Sequence, residues 1–77
     1  MFLKRLDNTG KEEYVNTGNV AYFSIMPDRK DHGKMVIFAN MTSGERIPVE
    51  SGIKSLDVAQ LKVKKMLDDI RKERGGE

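Results

Sequence analysis

The 77-residue sequence predicts an α+β fold: a curled antiparallel sheet of four or five strands, open or closed into a small barrel, with one C-terminal helix packed on it. Three observations carry this. Short runs rich in β-branched and aromatic residues alternate with turn signals at close intervals through residues 1–50. The gaps between runs are too short for the crossovers that parallel strands need, so neighbouring strands pair as antiparallel hairpins. From residue 55 the hydrophobic period becomes helical and stays so almost to the C-terminus. The chain is read as one domain over residues 1–77, strand-rich over 1–50 and helical over 55–74.

The first strand is placed near Phe2–Leu6. The turn Asp7-Asn8-Thr9-Gly10 separates it from a second at Lys11–Val15, and Asn16-Thr17-Gly18 ends that one. The third run, Val20–Ile25, and the fourth, Lys34–Ala39, do not alternate between apolar and polar residues. Runs that are apolar on both faces read as central strands covered on both sides. Between them lies the charged segment Asp28–Lys34. The fifth strand, Glu45–Val49, alternates cleanly, with Ile47 and Val49 on one side. Pro48 has no amide hydrogen to give to a ladder, which places this strand at an edge or at its own end.

Ser55 is a good N-cap, Asp57 suits the positive end of the helix dipole, and Gly75-Gly76 ends the helix. At about 100° per residue, Leu56, Ala59, Val63, Met66, Leu67 and Ile70 fall in a sector about 100° wide, the face expected on the sheet. Val58 and Leu61 lie roughly opposite, near Lys65. One helix covers one face of a sheet, so two apolar surfaces are left over: the second sheet face and the small patch at Val58 and Leu61. Two arrangements would cover them. Either the sheet curls onto itself and the patch meets a loop or the first strand, or a second copy or partner protein covers one or both.

Composition limits the chemistry. A chain this short buries only about 60% of its unfolded surface, so its stability is marginal unless something staples it. There is no cysteine, which removes disulfides and thiolate metal sites, and a single histidine builds no His-rich site. No run approaches the roughly 18 apolar residues of a membrane span, and the N-terminus has no leader-like apolar stretch. A cytoplasmic protein is expected. Net charge is +2; residues 1–50 are balanced, and the excess lies in residues 51–77. A dedicated nucleic-acid surface normally shows a stronger basic footprint.

Candidate catalytic groupings fail on direction, count or charge. Asp28, Asp31 and His32 share one loop, but Arg29 and Lys30 beside them repel a cation, and structural metal sites want about four ligands. Glu12 and Glu13 are adjacent on a strand and point to opposite faces. Asp68 and Asp69 lie on the polar side of the helix. The only histidine is in the charged loop, so no serine or threonine has an evident base, and the glycines are isolated turn residues rather than a phosphate loop. No catalytic residue, cofactor or metal is assigned, and the chain is read as a non-enzyme. For nucleic acid the candidates are Arg29, Lys30 and Lys34 on the long hairpin, with Tyr14 and Tyr22 as stacking platforms. Lys62, Lys64 and Lys65 point in three directions and form no rail.

The segment Leu3-Lys4-Arg5-Leu6-Asp7-Asn8-Thr9-Gly10-Lys11-Glu12-Glu13-Tyr14-Val15-Asn16, followed by Asn19-Val20, resembles the opening of the small FlbD/SwrD-type flagellar and swarming proteins. Val36-Ile37-Phe38 and the run Ser43-Gly44-Glu45-Arg46-Ile47-Pro48-Val49-Glu50-Ser51 resemble that family's strand, glycine turn and closing strand before the helix. The same pattern occurs in small phage and mobile-element proteins. The chain differs from the family in the extension at Asp7–Thr9, the charged loop Asp28–Lys34 and the segment Gly52–Lys54. What the resemblance implies is a small non-catalytic accessory or regulatory protein, with no catalytic residues to carry over and no motility role transferred.

The leading expectation is therefore protein–protein interaction, including self-association, through Val58, Leu61 and Lys65 on the outer helix face and Tyr22 on the sheet face away from the helix. The alternative is nucleic-acid binding through Arg29, Lys30 and Lys34.

Overall fold

A computed structural model of the chain describes residues 2–6 and 13–73. Within them five strands precede one helix: β1 (Phe2–Arg5), β2 (Glu13–Asn16), β3 (Val20–Pro27), β4 (Met35–Met41), β5 (Arg46–Ile53) and α1 (Leu56–Glu73). A single 3-10 turn, Thr17–Asn19, joins β2 to β3; the Asn16 carboxamide oxygen accepts from the Gly18 amide at 2.9 Å and starts it. The α+β class and the antiparallel pairing agree with the expectation. The expected turn at Asp7–Gly10, the first residues of the Lys11–Val15 strand and the Gly75-Gly76 helix end lie outside the described residues.

The strands form two antiparallel sheets, one of β1 and β2 and one in the order β3-β4-β5. They do not close into a barrel among the described residues. The link between the sheets is narrow: at the end of β1 the Leu6 amide donates to the Pro48 carbonyl of β5 at 3.0 Å. Among the described residues β3, at the far side, pairs with β4 alone.

The three-stranded sheet curls through bulges. Ala21 of β3 is an extra residue between the Val20–Met41 and Tyr22–Asn40 pairs. β5 inserts two more, around Val49 and around Ser51–Gly52. Each bulge bends its strand and increases the local twist. Gly52 has φ +68, a conformation that a side chain resists, which explains a glycine inside a strand. The bulges also carry β5 to Ile53, four residues past the expected end at Val49.

The core lies between this sheet and α1. Ile37, Ala39 and Ala59 are fully buried and Ile53 nearly so, with Phe23, Ile25, Met35, Val49, Val63 and Met66 packed around them. Ala59 is small, so the helix backbone sits close to the sheet. The Ser55 hydroxyl accepts from the Val58 amide at 3.2 Å, and the Ser55 carbonyl accepts from the Ala59 amide at 3.1 Å, so Ser55 is the N-cap.

Two expectations need correction. Val20–Ile25 reads as a central strand but is an edge of its sheet, with Ala21 and Tyr22 exposed. Its apolar pattern reports covering of its two faces, which an edge strand can also need, and says nothing of its lateral neighbours. Leu56 and Leu67, expected on the sheet, are 49% and 47% exposed. The packed stripe is narrower than the apolar sector because a three-stranded sheet is too narrow to engage its margin. No described helix is long and apolar enough to cross a membrane.

Candidate protein-binding surfaces

Three surfaces hold the predicted site residues and their neighbours. The first is the back of α1. Val58 and Leu61 are exposed, Leu61 at 67%, and Lys65 is exposed beside them. Residues three apart on a helix are neighbours, so Val58 and Leu61 form one small apolar patch with a cation on its border.

The second is the sheet face away from the helix. Phe23, Ile25 and Ile37 face the helix, and side chains alternate along a strand, so Tyr22, Ser24, Val36, Phe38 and Asn40 point the other way. Tyr22 is 62% exposed there. It therefore lies on the opposite side of the molecule from Val58 and Leu61, and the four residues do not form one contact surface. Behind Tyr22, the Asn40 amide nitrogen donates to the Ser24 hydroxyl at 3.0 Å and to the Tyr22 carbonyl at 3.3 Å, which ties β3 to β4.

The same face contains two adjoining clefts of about 400 and 260 Å³, which share Asp28, Lys30, Val36 and Phe38. Leu6 and Pro48 wall the larger one; Met26, Arg29 and Arg46 border the smaller. The floor is apolar and the rim carries charge. The Arg46 guanidinium lies 4.7 Å above the Phe38 ring, a cation–π contact, and also donates to the Met26 sulfur at 3.1 Å.

The loop between β3 and β4 sets the rim. The Asp28 amide donates to the Lys34 carbonyl at 2.9 Å, and the Lys34 amide donates to the Asp31 carbonyl at 3.1 Å. An Asp28 carboxylate oxygen accepts from the Lys30 amide at 2.9 Å, and Gly33 closes the turn at φ +84. Arg29 and Lys30 are thereby brought to the cleft. Lys34 is half-buried just before β4 and lines neither cleft. Among the described residues no group of three His, Cys, Asp or Glu side chains converges on one point.

The third surface is the free edge of β3 together with one flank of the helix. Lys62 forms an ion pair with Glu50 of β5 at 2.9 Å. That contact places one flank of α1 at β5, and Leu56 and Leu67 lie on the opposite flank of the helix.

Sequence reasoning singled out Tyr22, Val58, Leu61, Arg29 and Lys30 but missed Leu6, Phe38 and Arg46, and it turned Leu56 and Leu67 inward. Phe38 sits in a run apolar on both faces, which hides which side it serves. Arg46 alternates with Ile47 and so was already placed away from the core; only its distance to Phe38 was hidden. No family model matches the chain, and neither a curated protein nor a solved structure matches it.

Proposed function

We propose that this chain is a small non-catalytic, cytoplasmic accessory protein that acts by protein–protein contact and associates with itself. The observation that carries the reading is the set of large apolar side chains left in water: Phe2, Tyr14, Tyr22 and Leu61 are each more than half exposed, and Leu56, Val58 and Leu67 at least 40%. Single exposed apolar residues are ordinary. Here Val58 and Leu61 are neighbours on the back of the helix, and Leu56 and Leu67 lie about three turns apart on one of its flanks, beside a narrow buried stripe. The outline resemblance to the FlbD/SwrD-type proteins supports an accessory role of this kind. Sedimentation equilibrium over a hundredfold concentration range tests it. A mass above 8.7 kDa that rises with concentration is expected; a constant 8.7 kDa overturns self-association.

A second reading, nucleic-acid binding, rests on Arg29, Lys30 and Arg46 around Phe38 at one cleft. It predicts retardation of single-stranded probes at low salt that weakens steeply as salt rises, with each phosphate-contacting cation removed lowering the salt slope by about one. No retardation at low salt removes this reading.

A further inference from the structure

We infer that the free edge of β3 is the self-association surface: β3 of one copy pairs antiparallel with β3 of a second copy, joining two three-stranded sheets into one of six strands. The inference rests on the self-association reading and names the surface.

Edge strands carry a row of unpaired amides and carbonyls and template pairing with another chain unless the protein blunts them with charge, proline, bulges or a cover. β3 is an edge, and Val20–Pro27 contains no charged residue. Its protections sit at its two ends, a bulge at Ala21 and Pro27. Between them Tyr22–Met26 is regular and about as long as an ordinary strand. The residues of this stretch are Tyr, Phe, Ser, Ile and Met, which favour a strand flanked on both sides.

A second copy is the occupant that best suits this edge. A two-fold axis brings the same strand to itself in antiparallel register, the self-complementary arrangement of closed dimers. With no charge in the strand, no like charges meet across the seam. An axis perpendicular to the sheet keeps both helices on the same face. Leu56 and Leu67, on the flank of α1 opposite the Lys62–Glu50 contact, then lie on the seam side of each helix.

The test compares two double variants by sedimentation equilibrium, with far-UV circular dichroism as the check on folding. Ala21→Lys/Tyr22→Lys changes two exposed residues of β3 and puts like charges at the seam. The dimer dissociation constant is expected to rise about tenfold or more. Val58→Glu/Leu61→Glu, on the back of the helix, is expected to leave it unchanged. A wild-type dimer that only the helix variant dissociates overturns the β3 seam and leaves self-association standing. A wild-type chain that stays at 8.7 kDa overturns both. Amide exchange of the unsubstituted protein gives a reading independent of any variant. Concentration-dependent protection is expected at alternate amides between Tyr22 and Met26, those turned away from β4, while the amides that face β4 are already bonded within one chain; exchange that does not depend on concentration contradicts the seam.

Discussion

β5, at one edge of the three-stranded sheet, carries Arg46 and Glu50, an internal proline and two bulges, whereas β3, at the other edge, carries no charge from Val20 to Pro27, a single bulge, and a proline only as its last residue. The helix above repeats the contrast. At β5 its flank presents Lys62, paired with Glu50; its opposite flank presents Leu56 and Leu67. β5 is also met by the end of β1, through Leu6 and Pro48. One edge is finished within the chain. The other has the chemistry of an interior strand and the position of an edge. A small domain that cannot bury enough surface alone gains by leaving one such edge to a second copy, because the added burial then comes from mass action rather than from a longer chain.

The largest expected effect comes from the strand the two edges share. Ile37 of β4 is fully buried beneath the helix. Ile37→Ala removes buried methyl groups and leaves a cavity, a loss of about 2–5 kcal/mol. That is much of the stability a domain this small has, so the denaturation midpoint should fall to near or below ambient conditions. The unsubstituted protein supplies the comparison: if β3 is finished by a second copy, its midpoint rises with protein concentration. A midpoint independent of concentration would mean that both edges are closed within one chain, and the contrast would then be one of composition only.

Much of this contrast was written in the sequence. Pro48 marked β5 as an edge, and Ser55 with the helical period marked α1, because a proline's missing amide and a cap's hydroxyl act on residues a few positions away. The outer positions of Tyr22, Val58 and Leu61 followed from strand and helix periods for the same reason. What could not be read was lateral order. That β1 reaches β5 rather than β3 depends on a hydrogen bond between residues 6 and 48, and nothing local to either encodes it. Val20–Ile25 was apolar enough to be central, and in a lone chain it is not; the pattern reports what covers a strand's faces without naming the chain that lies beside it. The cleft around Phe38 was hidden for a related reason, since its walls come from β1, β3, β4 and β5 together.

A smaller effect is expected from undoing the cover on β5. Leu6→Pro removes the amide that donates to the Pro48 carbonyl. The preceding residue, Arg5, is already extended in β1, the conformation that a following proline requires of it. The cost should be about 0.5–1.5 kcal/mol, the net value of one backbone hydrogen bond, read as a shift in urea midpoint at constant slope. Sedimentation then sharpens the contrast: the mass distribution should not change, because this edge is not the seam. A variant that gained higher oligomers would show that β5 needs β1 to stay closed.

The smallest effect concerns the flank. Lys62 and Glu50 are each more than a third exposed, so their ion pair is screened by water and should couple by only about 0.2–1 kcal/mol. The double-mutant cycle of Lys62→Ala and Glu50→Ala measures this coupling, and raising the salt concentration should reduce it. Its value lies in direction more than size. The buried stripe of Ala59, Val63, Met66 and Ile70 sets the rotation of the helix, and the pair reports that rotation, since Lys62 lies on the flank opposite Leu56 and Leu67. A coupling near zero at low salt would mean that Lys62 does not dwell over β5. A measurable coupling that is unchanged by Ala21→Lys/Tyr22→Lys would show that the flank is set within one chain, before any second copy arrives, so that the seam is presented ready-made at the open edge.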